Sequence, residues 1–307
     1  MAHPLHRVSV PGRIFDITNY ILLALFSLTI LYPFWTVVIN SLNPPETPRG
    51  LGFHIWNDVW SVRAWDYVFT NKDVGTSYLN TIHRVAFGTL STLFVTFSAS
   101  YALSKRNLPG RTWITFLFVF TMFFQGGIIP TYLLVRILGL INSRWVLVIL
   151  PALGVFYIII TRNFIMTIDQ AMEDSAVIDG ANYWTIMFRI ILPLSKPVMA
   201  TIALWTAVFL WNQWFDAMIY ITDLGKRILQ LFLRDVVNRI TTFEFDVNMQ
   251  RLIKEMCDEG HCPDWATIPH ESIQAATVLV TIGPIIIFYP FVQKYFVKGA
   301  MLGSLKG

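Results

Sequence analysis

The chain has 307 residues, 55% of them hydrophobic and only 14% charged, with 24 Phe and 11 Trp. That balance lies outside the range of ordinary soluble domains and reads as a membrane protein. The formal net charge of +4 comes with no basic stretch interleaved with aromatics, so it argues for membrane topology and against nucleic-acid binding.

Crossing a bilayer takes roughly 20 helical residues. Six apolar segments that suit this are predicted at about 17–38, 85–103, 113–135, 145–160, 198–221 and 275–292. The expected architecture is all-α: one transmembrane domain over 1–307, with no low-complexity region, short repeat or linker to set off a second. The first segment follows Arg7 and Arg13. It runs too long for a signal-peptide core and lacks a small-residue cleavage site, so it is expected to be retained. Residues 43–75 open on Pro44, Pro45 and Pro48 and are too polar for lipid. His83 and Arg84 stand at the start of the second span.

With both termini cytoplasmic, the inner segments hold an excess of Lys and Arg over Asp and Glu. The compact turn from Ser104 to Arg111, with Lys105 and Arg106, is the clearest sign of that orientation. The expected location is the cell membrane. Gly126, Gly127 and Pro130 interrupt the third span, Gly154 the fourth, and Gly283, Pro284 and Pro290 the sixth. Proline removes a backbone donor and clashes one turn back, so kinks are expected there. Such kinks serve as hinges in transporters; the other reading is ordinary membrane packing, where Gly and Pro are common.

Between the fourth and fifth spans lies a different kind of segment, Glu173 to Pro193, within a loop of about 167–196. Ser175, Ala176, Gly180 and Ala181 are small enough for close approach to a partner, and Glu173, Asp174 and Asp179 offer carboxylates. Acids near a helix start favour the macrodipole. Gly180 can take a turn conformation denied to bulkier residues, so a second helix through Tyr183, Trp184 and Met187 is expected to leave at an angle. Pro193 and Pro197 mark entry to the fifth span. The alternative is a short interfacial helix anchored by Trp184.

Trp211, Asn212, Gln213 and Asp216 lie in the outer half of the fifth span, beside Trp214 and Tyr220. Charges at membrane depth usually face a protein interior or a water path. With His83 and Arg84 these residues are candidates for a substrate path that offers rings and hydrogen bonds to sugars. The alternative is an aromatic belt with Asp216 paired to a basic neighbour. The long outer stretch of about 222–272 follows, where apolar positions within 226–234 suit an amphipathic helix. It is read either as packing against the membrane domain or as a docking surface. Cys257 and Cys262 sit in it with Gly260 between them. An extracytoplasmic disulfide is the candidate reading; two free thiols, or a metal site with His261 that lacks an obvious fourth ligand, are the alternatives.

No catalytic residue or metal site is singled out. A phosphate-binding loop is missing, since Gly225-Lys226 runs into Arg227 without an upstream glycine, and no His pair with an intervening Glu occurs at metalloprotease spacing. The chain is expected to be non-catalytic and to carry no cofactor.

The order Asp174-Ser175-Ala176, Gly180, Ile190, Leu192 and Pro193 resembles the EAA signature of ABC importer permeases, with Asp174 and Ser175 in place of Glu and Ala. Tyr101-Ala102-Leu103-Ser104-Lys105-Arg106 and the tail from Lys298 to Gly307 are similar to maltose-type carbohydrate permeases. Residues 126–134 and Trp211-Asn212 are similar to the branch serving complex oligosaccharides. The resemblance implies a type I importer fold of six transmembrane helices with a cytoplasmic coupling helix. It also implies a second, different permease, two cytoplasmic ATPase subunits that hold ATP and Mg, and an extracytoplasmic solute-binding protein. A permease for a non-sugar solute, a secondary transporter or channel subunit, and a membrane enzyme or structural subunit are the competing readings. The missing catalytic clusters count against the last.

Overall fold

The computed structural model describes residues 10–44, 55–124, 126–245, 247–260 and 268–304, and among them the chain is helical with no strand. Pro11–Ser41, Lys72–Ser104 and His270–Ile287 are each long and apolar enough to cross a membrane. Three bent pairs bring the total to six if each is one span: Arg111–Phe123 with Ile128–Ile137, Val146–Ala152 with Val155–Ile165, and Tyr183–Leu194 with Lys196–Asn212. The chain divides into two compact units, Met1–Thr70 with Val236–Val280, and Asn71–Asp235 with Thr281–Gly307.

In the first unit, the apolar window of Pro11–Ser41 buries none of its residues. A helix apolar on every side suits lipid. Past its end the chain folds back: Asn57 Nδ2 donates to the Ile39 carbonyl at 2.9 Å, Trp35 Nε1 to the Ile55 carbonyl at 2.9 Å, and Trp65 Nε1 to Ser41 Oγ at 3.2 Å. Ile55, Asn57 and Trp65 are thus tied to the last turns of the first span by side-chain hydrogen bonds.

The second unit is built around Lys72–Ser104, which packs against the fourth and fifth spans. Its buried face repeats at helical spacing through Ser77, Thr81, Arg84, Gly88, Thr92, Thr96 and Ser100. Small residues let membrane helices approach closely because dispersion, not water exclusion, holds them together. At Gly88 a Cβ would stand 2.5 Å from Leu210 Cδ1 of the fifth span. Ser100 Oγ donates to the Ile158 carbonyl at 2.8 Å, joining the second span to the fourth.

The breaks fall partly where expected. The third span is interrupted before Ile128, with Gly127 at φ 86, and the fourth bends by 50° at Leu153 and Gly154. The sixth helix, in contrast, runs without interruption from His270 to Ser304, through Gly283, Pro284 and Pro290. Three other boundaries need correction. The second span starts at Lys72, so His83 and Arg84 lie well inside it. The fifth ends at Asn212, and Phe215–Tyr220 is a separate short helix. The amphipathic helix expected within 226–234 is present but runs longer, as Leu229–Phe245, and a second helix, Val247–Asp258, follows it in the same stretch. Cys257 is in the last turn of the latter; Cys262 and His261 lie outside the described residues.

Candidate functional site

Two constellations stand out along the second span, one past its end and one inside it. The first begins where that span ends. Ala171–Ile178 forms a short helix with Glu173 and Asp174 in its first turn. It is closed by Gly180 at φ 81, the left-handed conformation that costs an L-residue about 1–2 kcal/mol. Asn182 Oδ1 then accepts the Thr185 N–H at 2.8 Å and starts the next helix. That helix, Tyr183–Leu194, widens into a π segment at Ile186–Ile191 and meets the fifth span at 79°.

One face of this hairpin is fastened to the body of its own unit. Ala176 is buried with Phe97, Tyr101, Ile165, Ile186, Met187, Ile191 and Met199. Glu173 forms an ion pair with Lys105, whose ammonium also lies 4.2 Å over the Tyr101 ring. Burial lowers the Lys105 pKa, and the nearby Asp174 carboxylate partly offsets this. The opposite face is open: Asp174, Asp179 and Gly180 are exposed, together with Val177 and, at 85%, Ile178. Tyr183 and Trp184 extend that surface. An open face of apolar side chains rimmed by carboxylates is the composition of a docking site.

The second lies within the span, about a third of the way from its start: Arg84 is 1% exposed and sits 2.5 Å from Asp216 Oδ2, while its Nη1 donates to the Gln213 carbonyl at 2.7 Å. Gln213 has extended backbone angles, φ −75 and ψ 120, so the guanidinium satisfies a carbonyl freed by the end of the fifth span. The pairing alternative for Asp216 is therefore the one the geometry supports, and Arg84 and Asp216 act as a clamp. His83 lies apart from them, in an aromatic group with Phe87 and Trp145 at centroid distances of 4.7 and 5.3 Å. Trp211 Nε1 donates to the Thr281 carbonyl at 3.3 Å, and Asn212 Nδ2 to Val208 one turn back.

Residues 1–301 match the family described as binding-protein-dependent transport system inner membrane component. The chain belongs to this family. This permease is 38% identical over 296 residues, 96% of its own length and 99% of the relative's, to the polygalacturonan/rhamnogalacturonan transport system permease protein YtcP of Bacillus subtilis (strain 168). It is 36% identical over 305 residues, 99% of each chain, to Protein LplC of the same organism. A solved chain of a bacterial ABC transporter involved in the import of the acidic polysaccharide alginate superposes with a TM-score of 0.81 at 34% identity, covering 94% of this chain and 98% of that one. The all-α arrangement is thus that of an ABC importer permease, a membrane-embedded component.

Several structural residues of the permease escaped the sequence reading. Asn142 adopts φ 60, and its Oδ1 accepts the N–H groups of Thr222 and Asp223 at 3.3 and 3.0 Å while its carbonyl accepts Lys226 Nζ at 2.9 Å. Asn80 Nδ2 donates to the carbonyls of Gly225 and Arg227 at 3.0 and 2.9 Å. These bonds pin the start of the 222–272 stretch to the second span and to the connection between the third and fourth. An Asn in a short polar link between apolar spans is the available signal, since Asn tolerates the left-handed region better than most residues.

Proposed function

We propose that this chain forms half of the translocation path of an ATP-driven importer for an oligosaccharide that a solute-binding protein delivers. The observation that carries the coupling half of this reading is the hairpin 171–185. It is anchored inward through Ala176 and Glu173 and presents Asp174, Val177, Ile178 and Asp179 outward. That surface suits a groove on a cytoplasmic ATPase subunit. Two such subunits hold ATP and Mg, and a second, different permease completes the path. Both termini are then cytoplasmic, 1–307 is one transmembrane domain, the 222–272 stretch is extracytoplasmic, and a Cys257–Cys262 disulfide suits that compartment. The relatives named for polygalacturonan, rhamnogalacturonan and alginate support uronate oligosaccharides as the first class to test.

The test is co-purification with the second permease, the ATPase subunits and the binding protein, reconstitution into vesicles, and an uptake screen of oligogalacturonides, alginate oligomers and neutral maltodextrins. ATP-dependent uptake of at least one oligosaccharide is expected, and no ATP hydrolysis by the isolated chain. Failure to transport any oligosaccharide while importing another solute overturns the cargo reading alone. Robust hydrolysis by the isolated chain overturns the division of labour.

A further inference from the structure

We propose that Arg111 and Arg162 form a binding site for the phosphate of an anionic phospholipid. Leu103 is the penultimate residue of Lys72–Ser104, Arg111 opens Arg111–Phe123, and Arg162 lies in the last turn of Val155–Ile165. A carbonyl in the last turn of a helix lacks its intrahelical donor. That of Leu103 accepts instead from Arg111 Nε at 2.9 Å and from Arg162 Nε at 3.0 Å. Both guanidinium groups are thereby held beside one oxygen atom. Of their Nη groups, only Arg111 Nη2 has a partner among the described residues, the Met166 sulfur at 3.5 Å.

Charge balance gives the pair its meaning. One neutral carbonyl does not compensate two cations, and like charges held this close repel. Among the described residues neither arginine makes an ion pair. The carboxylates of the neighbouring hairpin are committed elsewhere: Glu173 pairs with Lys105, and Asp174 and Asp179 lie on the exposed face. The helix that Arg111 opens starts at Gly110 without a side-chain cap, so its first N–H groups add positive potential. Together these features call for an anion.

Depth selects the source of that anion. The ends of three spans meet at Leu103, which sets the site at the edge of the hydrocarbon, where lipid headgroups begin. Trp113, two residues beyond Arg111 and 73% exposed, is of the type that collects at headgroup level. Met166 and Ile114, 45% and 37% exposed, put apolar surface beside the guanidinium pair, which suits a phosphate that carries acyl chains. Guanidinium forks bond phosphate oxygens through paired N–H contacts, a geometry that a lysine ammonium does not match. A phosphate bound there relieves the repulsion and fastens the second, third and fourth spans at one face. The inference goes beyond the transport reading and does not depend on its cargo.

Native mass spectrometry of the purified permease with its retained subunits tests this, with phosphatidylglycerol and phosphatidylcholine as probes and inorganic phosphate as competitor. The wild-type complex is expected to hold phosphatidylglycerol in preference to phosphatidylcholine. Arg111→Gln and Arg162→Gln are each expected to weaken that retention about tenfold; wild-type retention in both overturns the site. Arg106→Gln removes an exposed cation of the adjacent turn and is expected to change nothing, and an equal loss there means diffuse attraction to a basic face and overturns the site as well. Displacement of the lipid by inorganic phosphate overturns the lipid assignment in favour of a free anion. Lipid that binds only after the ATPase subunits are removed overturns it in favour of a partner carboxylate. Should either glutamine variant not assemble, Arg111→Lys and Arg162→Lys decide, since each keeps the charge and loses the fork: weakened retention in both supports the site, and wild-type retention in both overturns it. A wild-type complex with no preference for phosphatidylglycerol overturns it outright. Counting bound lipid needs no uptake, so this inference and the importer reading fail separately.

Discussion

Arg84 and Asp216 hold the two sides of the fifth-span break together: the guanidinium lies 2.5 Å from the carboxylate and at the same time accepts the load of the freed Gln213 carbonyl, to which it donates at 2.7 Å. Arg84 is 1% exposed and Asp216 15%. Removing one partner of such a pair strands a buried charge and costs about 3–5 kcal/mol, whereas replacing both with apolar residues is close to neutral. Arg84→Met and Asp216→Leu are therefore each expected to lower the unfolding midpoint in detergent more than the double variant does. A double-mutant cycle measures it; additive losses would refute the clamp.

Lys105 and Glu173 form a partly buried pair, with side chains 26% and 20% exposed, and an ion pair still in reach of water contributes modestly to stability, roughly 1 kcal/mol. Its effect on coupling is expected to be larger, because Glu173 starts the exposed helix and Lys105 caps the second span. Lys105→Glu and Glu173→Lys should each raise ATP hydrolysis per molecule transported while leaving assembly intact. The exchanged double variant should recover the wild-type ratio. No recovery in the double variant would show that the pair is incidental.

Much of this could be read from residues alone, and what could not has a physical cause. The hairpin proposed for docking was legible as a structure because its acids, small residues and Gly180 are a local pattern, and Gly180 does adopt the left-handed turn at φ 81. Span existence was legible from apolar length. The pairing of Arg84 with Asp216 was not, because it joins residues from different helices, and a charge at membrane depth looks alike whether it lines a path or meets a partner. The uninterrupted sixth helix shows the same limit: Pro284 weakens a helix locally, and its surroundings decide whether the chain breaks. The helix expected within 226–234 was legible from its apolar spacing but runs on to Phe245, and Val247–Asp258 was passed over inside a stretch read for its polarity.

Substitution at Gly180 tests the turn itself. Nothing lies within 4 Å of a Cβ built there, so the cost of Gly180→Ala is backbone strain, about 1–2 kcal/mol, and a β-branched Val costs more. Gly180→Val and Asp174→Lys are expected to insert and fold yet fail to retain the ATPase subunits on co-purification. Asp174→Glu should be tolerated. Full retention in both of the first two variants would sink the docking assignment.

Close approach of the second and fifth spans gives a packing prediction. Gly88→Ala drives a methyl against Leu210, whose side chain is 0% exposed; overpacking of this kind costs typically about 1–3 kcal/mol. Adding Leu210→Ala makes room and should restore part of the loss. The check is thermal unfolding of both variants in detergent.

Asp223 supplies a pH dependence. The Gly225 N–H, with the Lys226 ammonium beside it, holds this carboxyl below the usual carboxylate range. A group whose pKa is depressed on folding stabilises the native state above its unfolded value, about 3.9, and that contribution is lost as pH falls through the folded value. Asp223→Asn is expected to lower the unfolding midpoint slightly at pH 7 and to match wild type in strong acid. A difference that grows on acidification would contradict the assignment.

The carbonyl oxygen of Leu103 accepts from two guanidinium groups, Arg111 Nε at 2.9 Å and Arg162 Nε at 3.0 Å. One atom thus knots the end of the second span to the start of the third and the end of the fourth. If the hairpin couples as proposed, three helices joined in this way are expected to turn together as a lever with a stiff foot, without sliding past one another when the hairpin is pushed. The helical backbone is interrupted farther along, in the third span before Ile128 and at the extended residues Leu153 and Gly154. On the proposed reading, motion that enters as a rigid rocking at one membrane face is expected to be released as bending at those interruptions.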